Sequence, residues 1–173
     1  AGNCGYANTP LGVALSKSCM KDKDHTWAHE IGHFLSLPHT FNGWEGQTPN
    51  FALPAPLKLG IVTVERVDGV SCKVAGDGFC DTPPDYLNDR WTCNVERKSN
   101  QVQLDPMGTS FVSDGSLIMS YANDACMDKF SPLQIEAMRA NLKSDKQNYL
   151  ANASDTTRPV VTKLVALSPT EGS

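Results

Sequence analysis

The sequence predicts an α+β fold in one compact unit, and three observations carry that expectation. The length of 173 residues fits a single domain of about 100–200 residues. Two well-separated segments carry helix signals, and short β-branched runs bounded by Gly, Pro and Asp lie between and before them. A content of 40% hydrophobic and 20% charged residues supports a buried core and is unlike that of a disordered tail.

The elements follow in chain order. Leu11 to Ser16 (LGVALS) is an apolar stretch between Pro10 and Lys17 and is expected to be a strand. Asp24 is the expected N-cap of a helix from His25 to Leu37, which Pro38 ends. From Ile61 to Val74, Asp68-Gly69 separates two β-branched runs, a short-range hairpin signal. Gly76 to Asp89 is rich in Gly, Pro and Asp and reads as a loop. Ser131, Pro132 and Gln134 form a capping box with proline at the first helical position. Ile135, Met138 and Leu142 then recur at helical spacing, so a helix is expected from Pro132 to Gln147. Residues 1–150 are expected to form the main unit. Residues 151–173 read as a linker or the start of a following domain, because Ser154 opens a polar stretch before the β-rich run Val160 to Leu167. A tail strand of the same unit is the alternative.

Charge and cysteine usage narrow the function classes. Fifteen Lys and Arg against 19 Asp and Glu give a net charge of −4, so there is no basic excess to neutralise nucleic-acid phosphates. No run approaches the roughly 18 apolar residues of a membrane span. The six cysteines, Cys4, Cys19, Cys72, Cys80, Cys93 and Cys126, include no Cys-x-x-Cys pair. They read as disulfides of a secreted, extracellular or cell-surface protein, with buried thiols as the alternative. Spacing alone leaves the connectivity open; the expected pairs are Cys4–Cys19, Cys72–Cys80 and Cys93–Cys126. Ala1 in first place fits a removed leader or a piece of a longer chain.

All four histidines lie in one segment, His25-Thr-Trp-Ala-His29-Glu30-Ile-Gly-His33-Phe-Leu-Ser36-Leu-Pro-His39. His29 and His33 are one helical turn apart, so their rings project from one face about 6 Å apart at Cβ. Both can reach one zinc ion at about 2.0–2.1 Å, and a turn at Ser36 to Pro38 can deliver His39 as the third ligand. Three nitrogens leave a fourth position open, the catalytic rather than the structural arrangement. Glu30 lies about 100° round the helix from His29, placed to take a proton from water attacking a carbonyl and to return it to the leaving amine. A solvated surface helix is the bland alternative. His25, one turn earlier, reads as a supporting residue rather than a ligand.

His29-Glu30-x-x-His33-x-x-Ser36-x-x-His39 resembles the extended zinc signature of the metzincin metalloproteases, with Ser36 where glycine is usual. A left-handed serine there would cost roughly 1 kcal/mol. Leu117-Ile118-Met119-Ser120-Tyr121 resembles the Met-turn, which implies that Met119 lies beneath the metal and that Tyr121 assists near it. His39-Thr40-Phe41, Gly76-Asp77-Gly78-Phe79-Cys80-Asp81-Thr82-Pro83, and Ser120-Tyr121 through Cys126 to Phe130-Ser131-Pro132 resemble the pappalysin family, its bacterial cytophagalysin-like branch in particular. That resemblance spans Gly5 to Leu150. It implies a two-lobed catalytic domain about a zinc cleft, with 1–39 as the remnant of an upper lobe carrying the zinc helix and 40–150 as the lower lobe. Only 24 residues precede His25, so the N-terminal part of the upper lobe is expected to be missing from this chain.

The resemblance implies a secreted zinc endopeptidase acting on protein or peptide substrates and tethered to further domains. A non-catalytic, zinc-retaining binding module is the first rival and a structural zinc protein the second. Asp77, Asp81 and Thr82, with Asp85 and Asp89, crowd one irregular loop as candidate calcium donors, a solvated acidic loop being the alternative. Asp124, Met127 and Asp128 follow the Met-turn and are candidates for a substrate pocket, charged or apolar.

Overall fold

A computed structural model describes residues 4–8, 12–20 and 24–150, the side chains of Asn8, Cys19 and Asn148 excepted. The expected run at 160–167 lies outside the described residues. Gly5–Asn8 (β1) pairs antiparallel with Gly12–Leu15 (β2), Gly5 facing Leu15 and Asn8 facing Gly12. The expected strand at 11–16 is therefore one arm of a hairpin, and helix α1 packs against it.

Helix α1 runs Thr26–Phe34, shorter than the expected His25 to Leu37. Asp24 Oδ1 accepts the Thr26 N–H at 2.6 Å, yet the boundary position itself is His25. The C-terminal difference has a definite cause. Ser36 adopts φ 72°, which turns the chain out of the helix two residues before Pro38. The Leu37 N–H then donates to Gly32 O at 2.9 Å and the Ser36 N–H to His33 O at 2.9 Å. This is the paired closure of a left-handed helix end.

From Thr40 to Ser131 the only named strands are two-residue ladders: Lys58–Leu59 (β3) with Val62–Thr63 (β4), and Gln103–Leu104 (β5) with Ser110–Phe111 (β6). The hairpin expected across Ile61 to Val74 is not formed. Val62 and Thr63 pair backwards to β3, and Asp68-Gly69 closes a tight turn through the Gly69 N–H to Arg66 O. Val67, Val70 and Val74 are 42%, 76% and 76% exposed. With no sheet face to bury them, β-branching alone does not make a strand.

Two apolar clusters lie in this irregular region. Phe41, Trp44, Val64 and Tyr86 form one; Ile118, Ala122, Cys126 and Met127 form the other. Disulfides join Cys72 to Cys80 and Cys93 to Cys126, and the expected partner of Cys4 falls on a side chain outside the described set. Helix α2, Pro132–Ser144, starts at the expected capping box: Gln134 N–H donates to Ser131 Oγ at 3.1 Å and Ser131 N–H to Gln134 Oε1 at 3.0 Å. It stops three residues before the expected Gln147, and a 3-10 turn at Gln147–Tyr149 follows.

Beside the first cluster Glu65 is 4% exposed, and its Oε2 is buried without a hydrogen-bond partner. Burial, with the nearby Asp77 and Asp85 carboxylates, pushes its pKa up to about 8 from an ordinary 4.5. Between those values the folded chain holds a proton that the unfolded chain releases, so this group lowers stability as pH rises through the window. Denaturant titrations at several pH values are expected to show Glu65→Gln gaining on the wild type from pH 5 to pH 9. Parallel profiles would remove Glu65 from the account.

Candidate metal centre

The site begins with the register of α1. His29 and His33 lie one turn apart on the face turned towards the segment from Leu117 to Tyr121, and the left-handed turn at Ser36 brings His39 back to meet them. Nε2 of His33 stands 3.1 Å from Nε2 of His29 and 3.0 Å from Nε2 of His39. Nitrogen ligands at about 2.0–2.1 Å around a tetrahedral ion would stand roughly 3.3 Å apart. Among the described residues this triad is the one grouping of three or more His, Cys, Asp or Glu able to hold a metal ion.

The outward ring nitrogens decide what the inward ones can do. Nδ1 of His29 lies 2.7 Å from Ile118 O, and Nδ1 of His33 lies 2.8 Å from Leu37 O. Nδ1 of His39 lies 3.1 Å from Glu45 Oε1. A carbonyl or carboxylate oxygen only accepts, so each Nδ1 carries the hydrogen and each Nε2 turns a lone pair inward. Three facing lone pairs without a proton between them repel unless a cation lies among them, so the donor set fits a divalent metal. Burial keeps His29 neutral, drawing its pKa down to about 3 despite the opposing Ile118 carbonyl. Burial lowers His33 in the same direction.

Glu30 is 8% exposed and faces the edge of β1. A Cβ on Gly5 would stand 2.9 Å from Glu30 Cγ and 3.2 Å from its Oε1, so glycine there lets the strand close over the carboxylate. Burial raises the pKa of Glu30 above its ordinary value, with His39 and the Ala7 backbone opposing. Met119 is fully buried, and a Cβ on Gly32 would collide with its sulfur. The small residue between the histidines therefore lets the methionine lie directly beneath the helix. The Tyr121 ring is 4.8 Å from the His39 ring and 5.8 Å from that of His29.

Residues expected elsewhere in the site take other positions. Asp81 Oδ1 accepts from Ser131 Oγ at 2.8 Å and its Oδ2 from the Leu133 N–H at 2.8 Å. Thr82 Oγ1 donates to Asp77 Oδ1 at 2.8 Å, which also accepts the Phe79 N–H. These oxygens are occupied by protein donors and tie the loop to the start of α2. Asp124 Oδ1 accepts the His25 N–H at 3.0 Å, and Asp128 pairs with Arg97. Neither lines the hollow beside the triad, about 550 Å³ in volume, whereas Met127 does, with Thr26, His29, Glu30, Arg90 and Tyr121.

Two supporting residues carried no signal of their role in the sequence. Glu45 has no motif position; only the turn from His39 to Trp44 brings it to the ring. Asp85 stood among the calcium candidates, yet it is buried and accepts four hydrogen bonds. Thr40 Oγ1 and Ser120 Oγ donate to its Oδ2 at 2.8 and 3.0 Å, and Ser113 Oγ and the Leu87 N–H to its Oδ1 at 2.6 and 3.0 Å. It thereby joins the residue after His39 to the residue after Met119.

A two-histidine helix, a third histidine past a left-handed turn and a buried methionine beneath them match the arrangement of a metzincin-type metallopeptidase centre. The chain belongs to the pappalysin peptidases of family M43, whose model, described as pregnancy-associated plasma protein-A, matches residues 11–143. An extracellular metalloprotease of Podospora anserina is 28% identical over 145 residues, 83% of this chain and 36% of that protein. One from Verticillium alfalfae is 30% identical over 117 residues, covering 66% of this chain and 29% of that protein. The chain thus spans less than two fifths of the length of these curated relatives. Mature mirolysin of Tannerella forsythia, solved in complex with a cleaved peptide, matches with a TM-score of 0.49 and 22% identity over 80% of this chain and 47% of that one. No helix among the described residues is long and apolar enough to cross a membrane.

Replacing Asp85 by Ala strands four buried donors at once. The expected loss is about 3–5 kcal/mol of unfolding free energy, measured by urea denaturation. A loss under 1 kcal/mol would show that Asp85 does not hold the centre together.

Proposed function

We propose that this chain carries the catalytic centre of a secreted, zinc-dependent endopeptidase. The observation that carries the reading is the inward convergence of three Nε2 lone pairs, each ring fixed by an acceptor on its far side. His29, His33 and His39 would hold the zinc. When bound, zinc supplies Lewis acidity, polarising a carbonyl oxygen and acidifying water.

The chain's own groups do the rest. Glu30 accepts the proton of the attacking water and hands it to the departing amine. Its raised affinity for protons, from burial against β1, suits both tasks. Tyr121, packed against the stacked rings of Phe41 and His39, presents its hydroxyl group to the carbonyl oxygen as negative charge develops there. Met119 supports the helix from below. Secretion is supported by the disulfides and by relatives named extracellular metalloproteases. A module that merely retained zinc would need the three histidines but not a carboxylate beside them.

Glu30→Gln is expected to keep one zinc per chain by metal analysis while peptide hydrolysis falls by about a hundredfold or more. Unchanged hydrolysis would reject the reading. Glu45→Ala, which removes the carboxylate behind His39 and its tie to the Gly43 N–H, is expected to weaken zinc affinity by about 10–100-fold in competition with a chromogenic chelator. Wild-type affinity in that variant would show that Glu45 does not orient the ring.

A further inference from the structure

We propose that Arg90 selects substrates, binding the carboxylate side chain of an Asp or Glu that flanks the cleaved peptide bond. The inference rests on the endopeptidase reading and specifies its substrate class.

Arg90 stands on the rim of the hollow that contains His29, Glu30 and Tyr121. Its guanidinium lies 5.5 Å from the centre of the Tyr121 ring, and Nη1 donates to Ala122 O at 3.1 Å. These two contacts orient the plane of the group. They use one of its five donors, and no carboxylate among the described residues pairs with it; the other ion pairs there involve Arg66, Arg97, Lys98, His25 and His39. Arg90 is the one lysine or arginine among the hollow's lining residues. An oriented, unpaired guanidinium beside a reacting centre matches a planar carboxylate, which it can grip with two parallel hydrogen bonds.

The cleft does not end at this residue. A second hollow of about 520 Å³ shares Asn88, Asp89 and Arg90 with the first and continues past Phe51 and Trp91. A peptide can therefore run on beyond Arg90, which favours the side chain of an internal residue over a terminal carboxylate. Asp89 shares the rim and disfavours acidic residues placed further along, so the preference is confined to the position facing Arg90.

The test uses full-length, zinc-loaded protein and peptides with Glu, Asp, Gln, Ala or Lys on either side of a central bond, each with a free and an amidated C-terminus. Wild type is expected to favour Glu over Gln by about tenfold in kcat/KM, whatever the C-terminus. Arg90→Gln should erase that ratio, Arg90→Lys should keep part of it, and Arg90→Glu should favour Lys. An identical residue preference in wild type and Arg90→Glu overturns the proposal, as does a requirement for the free C-terminus. If wild type cleaves no peptide, the endopeptidase reading fails. Calorimetric binding of the same peptides to zinc-loaded Glu30→Gln, with and without Arg90→Glu, then decides Arg90 separately. Tighter binding of the Glu peptide than the Gln peptide, lost with Arg90→Glu, upholds it; equal affinities overturn it.

Discussion

Asp85 is the point at which the two halves of the candidate metal centre meet. Thr40, next to His39, and Ser120, next to Met119, both donate to one of its oxygens. The other oxygen receives Ser113, whose hydroxyl also accepts from the Gln103 amide, and the Gln103 carbonyl in turn accepts the Tyr86 N–H. In a region whose ladders are only two residues long, this polar network does what a sheet does elsewhere. Every buried donor needs an acceptor, and a single carboxylate satisfies four, one from the neighbouring Leu87 and three from residues 28 to 45 positions away. The cost of leaving them unpaired confines the loops to one arrangement, and the histidine geometry follows from it.

The same economy governs the rings. His33 is steadied by Leu37 O within its own helix end, so the turn that releases the chain towards His39 also fixes the second histidine. His29 is steadied by Ile118 O, in the segment whose methionine lies under Gly32. His39 relies on Glu45, itself held by the Gly43 N–H. Ser36 accepts the left-handed conformation without being glycine, and its hydroxyl receives Asn141 Nδ2 from α2 at 2.9 Å. The strain at that turn, roughly 1 kcal/mol, is offset in part by a contact to the far end of the chain.

How far the sequence could be read depended on the range of the interaction involved. The i, i+4 histidines, the carboxylate between them, the capping box at Ser131 and the strand after Pro10 could be read directly, because helical periodicity, capping and alternation act within a few residues. Asp68-Gly69 correctly signalled a turn but not a hairpin. The valines around it had the propensity for strands and no surface to pack on, and propensity yields to burial. The acidic loop showed its charges but not their partners: Asp81 caps α2, 50 residues on, and Asp85 reaches across to Thr40 and Ser120.

What the sequence by itself determined is therefore the chemistry on offer, three imidazoles and an acid at a spacing that one helix and one turn make convergent. Tertiary structure alone decided which oxygens face each Nδ1, that Asp124 and Asp128 do not line the hollow, and that Arg90 stands at its rim without a carboxylate partner among the described residues. Those outcomes come from contacts between residues tens of positions apart. Packing and desolvation set them only once the loops have closed on Asp85, and no local pattern encodes them.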